Sequence, residues 1–180
     1  MTRPPGGVRP VRESELPLLR EIERAAGSLF AARGMDLVAE DDPPTIATLA
    51  EYLREDRAWV RTDQDDHPVA FLLAEVVDGC AHLEQVSVHP QWARRRLGQE
   101  LIEHLATWAV EHRLPAMTLT TYVDVPWNGP YYAGLGFRFL ADEDLTPGLV
   151  RIRRSETDRG LDRWPRAAMR REVRPRERSG

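Results

Sequence analysis

The sequence is poor in cysteine, with Cys80 standing alone among 180 residues. A lone thiol forms no internal disulfide and builds no zinc site, so it reads as a small buried apolar residue in a protein of a reducing, cytoplasmic compartment. Long apolar runs are missing too. VAFLLAEVV falls well short of the roughly 20 residues that span a bilayer, and MTRPPGG holds no apolar stretch of a secretory signal. No membrane partner is expected. A net positive charge is also lacking: the formal charge is −4, which argues against nucleic acid as the main partner. Neither GxxxxGKS nor GxGxxG is present, which removes the usual nucleoside-triphosphate and dinucleotide fingerprints. The histidines show no ligand spacing, so no metal is implied, and no repeat of solenoid period exists.

What is present suits one folded domain. Apolar residues at 42% and charged residues at 30% are a globular balance, and the length fits a single core. The domain is expected over residues 8–173, with flexible ends at 1–7 and 174–180. Apolar spacings of three and four predict helices over Glu13 to Ala26, from a Thr45 cap to about Asp56, and from Leu97 to about His112. Branched and aromatic runs predict a meander of Ala58 to Thr62, Val69 to Val77 and Ala81 to Val88, its second turn at Asp78-Gly79. Leu29 to Pro44 reads as irregular. A strand at Met117 to Tyr122, a short helix stopped by Gly136, a strand at Phe137 to Leu140, a helix near Leu149 to Asp158 and a last strand near Ala167 to Val173 complete the order. That order, β-α-α-β-β-β-α-β-α-β-α-β, predicts an α/β (α+β) fold with a mixed, mostly antiparallel central sheet flanked by helices.

One stretch carries chemistry. In EQVSVHPQWARRRLGQELI a strand runs through a proline-initiated loop into a long helix near a glycine. A loop that delivers free N–H groups at a helix N-terminus binds anions, and Arg94, Arg95 and Arg96 add charge to that field. A pyrophosphate is the expected guest.

Here the sequence resembles the GNAT superfamily of N-acetyltransferases, whose pyrophosphate loop reads Gln/Arg-x-x-Gly-x-Gly/Ala between a strand and a helix. Ala93 and Arg96 stand where the superfamily has Gln/Arg and the first glycine, and Gly98 keeps its place. An arginine at that first glycine needs a backbone that tolerates a Cβ. Thirty residues on, NGPYYAGLGF resembles the superfamily's Asn…Tyr-x-x-x-Gly-Phe ending, with Asn128, Tyr132, Gly136 and Phe137 on the marked positions. The two motifs cover Leu83 to Phe137.

The resemblance implies acetyl-CoA as cofactor and the primary amine of a small molecule as acceptor, in a monomer or homodimer. It implies that Val86, Ser87 and Val88 offer backbone groups to the pantetheine arm, that Arg94, Arg95, Arg96, Leu97, Gly98 and Gln99 hold the pyrophosphate, and that Asn128 and Tyr132 also contact the cofactor. Tyr132 matches the general acid, with Tyr131 as competitor. A base on the third meander strand must take the ammonium proton: Glu84 is the first choice and His82 the second, the two sharing a face by strand alternation. The acceptor side implied by the resemblance is Leu29 to Pro44 and Tyr122 to Pro130, where Asp41, Asp42 and Asp124 can hold a cation and Phe30, Met35, Tyr122 and Trp127 can contact its body. Two readings from other classes stay open: a non-catalytic acyl-CoA sensor, and nucleic-acid binding through the arginine clusters.

Overall fold

The computed structural model describes residues 6–174. Its strands are β1 (Val8–Pro10), β2 (Ala58–Thr62), β3 (Pro68–Val77), β4 (Cys80–Val88), β5 (Ala116–Tyr122), β6 (Arg138–Phe139) and β7 (Arg166–Glu172). Its helices are α1 (Leu16–Gly27), α2 (Asp36–Ala39), α3 (Ile46–Arg54), α4 (Leu97–Glu111), α5 (Gly129–Gly134) and α6 (Pro147–Asp158). The strands form one seven-stranded sheet in the order β1-β2-β3-β4-β5-β7-β6. It is mixed and mostly antiparallel: β4 runs parallel to β5, whereas β1 with β2, β2 with β3, β5 with β7 and β6 with β7 are antiparallel. The fold class read from the sequence is therefore the observed one.

Local chemistry explains the elements. Thr45 caps α3 by accepting the Thr48 N–H at 3.2 Å, which satisfies a donor the helix start leaves free. Asp78 and Gly79 have φ of 49° and 74°, the left-handed pair that a two-residue hairpin requires. Glu13–Glu15 forms a 3-10 turn ahead of α1 rather than its first turn. The stretch expected to be irregular is helical in two short pieces, a 3-10 segment at Ser28–Arg33 and α2. Local bonds form both, Gly34 N–H to Ala31 O and Val38 N–H to Met35 O, and the left-handed Gly34 separates them.

The described residues fall into two compact units. The first takes the described part of Met1–Ala74 with Gln85–His104; the second takes Glu75–Glu84 with the described part of Leu105–Gly180. In the first unit Leu16, Leu19 and Ile22 of α1 and Leu49 of α3 close on Val60, Phe71 and Leu73 of the sheet. Each such side chain contributes about 1.5–3 kcal/mol by burial. In the second unit Met117 and Leu119 of β5, Ala168 and Met169 of β7 and Leu149 of α6 are buried. Of the ends expected to be flexible, residues 1–5 and 175–180 lie outside the described residues. Gly7 is bonded to Thr62, its O accepting the Thr62 N–H at 3.0 Å. Among the described residues no helix is long and apolar enough to cross a membrane.

Candidate active site

In the first unit, β4 leads through a 3-10 turn at Pro90–Trp92 into α4. His89 Nδ1 accepts the Gln91 N–H at 3.2 Å, which fixes the start of this loop. Arg94 and Arg96 then adopt φ of 62° and 60°. Left-handed backbone costs a side-chain-bearing residue roughly 1–2 kcal/mol. It also turns successive N–H groups toward one side, the arrangement that makes an anion cradle. The first helical bond of α4 is Glu100 N–H to Arg96 O at 3.0 Å, so the amides of Leu97, Gly98 and Gln99 precede the helical ladder. Arg94, Arg95 and Arg96 are exposed, and the Arg95 guanidinium lies 4.7 Å from the Trp92 ring centre. These residues fit a pyrophosphate: amides ahead of the helical ladder, a helix N-terminus and three exposed arginines share one short loop. Just before it, Ser87 is buried and its Oγ accepts from Gln85 Nε2 at 3.2 Å. Val86 and Val88 flank it, half-buried.

The second unit holds the residues expected to act as base and acid. His82 is 2% exposed, and its Nδ1 lies 2.9 Å from Thr118 Oγ1. The parallel ladder places these two residues opposite each other. Burial pushes the imidazole pKa down against the charges of Glu75 and Glu156, so the ring is held neutral. Glu84, two residues on and on the same face, has its Oε2 3.8 Å from His82 Nε2. Its side chain keeps 42% of its surface exposed, yet desolvation by neighbouring protein, with Glu75 and Glu156 adding, pushes its carboxyl up to about 7. Solvent screens part of that effect. Further along β5, Arg166 donates to Thr120 Oγ1 at 3.3 Å and lies over the Tyr122 ring at 4.3 Å.

The second motif builds α5. Asn128 Oδ1 accepts the Thr121 hydroxyl at 2.8 Å, and Asn128 O accepts the Tyr132 N–H at 2.9 Å. Gly129 is required by space, because a Cβ there would stand 2.6 Å from Val123 O. Tyr132 is buried and packs edge-on against Tyr131 and Phe137, at 5.3 and 5.9 Å between ring centres. Burial pushes its phenol pKa up, helped by Tyr131 and opposed by Arg166. Tyr131 is half-buried and is raised by burial as well. Gly136, at φ 91°, turns the chain from α5 to Phe137.

The acceptor-side residues divide between the units. Phe30, Met35, Asp41 and Asp42 belong to the first, and the Met35 N–H donates to Phe30 O at 3.1 Å. Asp41 and Asp42 are exposed, whereas Met35 is 2% exposed. Tyr122, Asp124 and Trp127 belong to the second; Tyr122 is buried, while Asp124 and Trp127 are exposed. Two carboxylates here went unread in the sequence. Glu23 of α1 is hydrogen-bonded to Gln85, and its carboxyl is pushed up to about 7, first by desolvation and then by Asp41. Glu156 of α6 meets Arg166 Nε at 2.6 Å. Glu23 depends on Gln85 of a strand far along the chain, and Glu156 on Arg166 ten residues on, with Arg153 one helical turn before it. Among the described residues no group of three or more His, Cys, Asp or Glu could hold a metal ion.

A family comparison identifies the class of protein. The profile described as Acetyltransferase (GNAT) family matches residues 18–137, and the chain belongs to that family of acyltransferases. Solved structures share the fold at low identity. A GNAT-family acetyltransferase from Staphylococcus aureus Mu50 superposes with a TM-score of 0.71 at 14% identity, covering 94% of this chain and 99% of its own. The PaiA N-acetyltransferase of Thermoplasma acidophilum, in complex with coenzyme A, gives 0.70 at 12%, with 93% and 99% covered. The ribosomal-protein-S18-alanine N-acetyltransferase of Escherichia coli gives 0.66 at 18%, with 97% and 98% covered.

Proposed function

We propose that the protein moves an acetyl group from acetyl-CoA to the nitrogen of a primary amine, by direct attack of the amine on the thioester. The observation that carries this reading is the pair of a neutral, buried His82 and a Glu84 carboxyl near 7 at 3.8 Å, in a chain of an acetyltransferase family. The complex of PaiA with coenzyme A supports the choice of acyl donor. Bound acetyl-CoA supplies an activated carbonyl and a sulfur leaving group.

The chain's own residues would do the rest. In the first unit, Arg94, Arg95, Arg96 and the amides of Leu97, Gly98 and Gln99 would hold the pyrophosphate. Val86, Ser87 and Val88 would present backbone groups to the pantetheine amides, one N–H polarising the acyl carbonyl. Phe30 and Met35 with Asp41 and Asp42 would meet an ammonium-bearing acceptor. In the second unit, Glu84 would take the ammonium proton, assisted by His82, and Tyr132 would return a proton to sulfur. Asn128 would contact the cofactor, and Tyr122, Asp124 and Trp127 the acceptor. Buried Cys80 suits a cytoplasmic setting.

The test is release of free thiol from acetyl-CoA by the purified protein in the presence of polyamines, aminoglycosides, amino acids and short peptides. The sequence contains no lysine, so no side-chain amine of the protein itself competes. Thiol release that depends on an added amine supports the reading. Cofactor binding without amine-dependent release would make the protein an acyl-CoA sensor instead.

A further inference from the structure

Glu156 has no part in the roles given above. It lies on α6, in the connection from β6 to β7, and is 6% exposed. Its Oε2 is held twice, by Arg166 Nε at 2.6 Å and by Arg153 Nη1 at 3.1 Å. Its Oε1 is equally buried and has no hydrogen-bond partner among the described residues. Buried carboxylate oxygens are nearly always paired, so one left open marks a place for a donor from outside the chain.

The surroundings say what that donor is. Arg166, which fixes Oε2, also bonds Thr120 and covers Tyr122. Thr118, which holds His82, shares a face of β5 with Thr120 and Tyr122 by alternation. Glu156 is thereby tied to the strand face that carries His82, and its charge is felt at both His82 and Glu84. An ionised carboxylate oxygen only accepts, so what arrives here must carry an N–H or O–H, which an amine does, while Arg153 and Arg166 offset the charge of Glu156 itself.

We propose that Glu156 is a substrate-binding residue whose Oε1 accepts a hydrogen bond from the N–H of the acceptor amine and so selects primary amines. The inference rests on the acetyl-transfer reading. A primary ammonium carries three hydrogens. One passes as a proton to Glu84, the N–C bond forms as the C–S bond breaks, a second proton passes to sulfur, and the third stays on the amide nitrogen, bonded to Glu156 throughout. A secondary ammonium has only two hydrogens and leaves Glu156 Oε1 unpaired in the product.

Glu156→Gln tests this at one atom. The two arginines retain the amide oxygen in the Oε2 place, so the amide nitrogen, a donor, replaces Oε1. Steady-state kinetics would compare a primary amine found in the screen with its N-methyl counterpart, alongside the Kd of coenzyme A and the melting temperature. The variant is expected to raise KM for the primary amine about 10-fold with kcat within about 3-fold, because the bond is present in ground and transition states alike. The preference for the primary amine should fall by the same factor, with the Kd of coenzyme A unchanged. A role confined to fastening α6 would lower the melting temperature and leave that preference intact, and this result overturns the proposal. If Glu156→Gln fails to fold, Glu156→Asp keeps the charge and withdraws the oxygen, and an unchanged preference there overturns it equally. A wild-type protein that neither binds nor acetylates any amine defeats the acetyl-transfer reading first and this one with it; transfer with an intact preference in the variant defeats only this one.

Discussion

His82 Nε2 lies 3.8 Å from Glu84 Oε2, while the Nδ1 of the same ring lies 2.9 Å from Thr118 Oγ1. Burial holds the imidazole neutral, so at neutral pH the two are not an ion pair. Glu84 is the member that titrates, near 7. A base of that pKa is half ionised where it works and still accepts a proton readily. The expected result is a kcat/KM for the amine that rises with pH and bends near 7. Glu84→Gln should lower kcat by roughly 10² to 10⁴ and remove the bend. A bend that persists in the variant would assign the proton to another group.

Tyr132→Phe removes a hydroxyl and leaves the ring against Tyr131 and Phe137. Burial raises the Tyr132 pKa, so the phenol stays protonated across the working range and has a proton to give, though as a weaker acid than an exposed phenol. Turnover should drop by roughly 10² to 10⁴ with coenzyme A affinity nearly unchanged. Isothermal titration beside the thiol assay separates the two effects. A loss seen only in Tyr131→Phe would move the role to that residue.

Much of this architecture is written locally. The Asp78-Gly79 turn, the Thr45 cap and the buried stripe of α4 each depend on residues a few positions apart, which is why the alternation and the three-four spacing reveal them. The stretch from Leu29 to Pro44 misleads because its helices are one or two turns long, too short for periodicity to register. The loop from Ala93 to Gln99 and the α5 motif can be picked out because each occupies one short stretch of chain. Glu23 and Glu156 cannot, because their environments come from Gln85 and Arg166, brought to them only by folding. Nor does composition tell that Arg96 stands in left-handed backbone; the departure from glycine says only that a Cβ must be tolerated there.

Arg96 therefore sets strain against charge. At φ 60° glycine is comfortable and arginine is not, so Arg96→Gly should stabilise the free protein by up to about 1 kcal/mol. The same change removes an exposed cation from the loop proposed to hold the pyrophosphate, so coenzyme A should bind more weakly and with a shallower dependence on salt. Melting curves with and without coenzyme A, at two ionic strengths, read both effects. A variant that is less stable when free and binds as before would show that the side chain, not the backbone, organises this loop.

Glu23 gives the pH dependence of stability a definite sign. Desolvation, with Asp41 adding, pushes its carboxyl up to about 7, while the Gln85 hydrogen bond and the charges of Arg20 and Arg24 pull it down. In the unfolded chain the group returns to its ordinary value near 4.5. Between these two values the native state holds a proton that the unfolded state has released. Its contribution is fully present below about 4.5 and is lost as pH rises toward 7. Glu84 acts in the same direction. His82, whose pKa is lowered by burial, acts oppositely and costs stability as pH falls below its ordinary value of about 6.5. Glu23→Gln keeps a partner for Gln85 and cannot ionise. Relative to wild type it should gain roughly 1–2 kcal/mol between pH 4.5 and 8 once solvent screening is allowed for, and should be the more stable protein at the upper end. Urea midpoints measured across that range give the difference directly, with the contributions of Glu84 and His82 common to both proteins. Parallel curves would mean that the Glu23 carboxylate remains hydrated in the fold and that its contact with Gln85 is made at the surface.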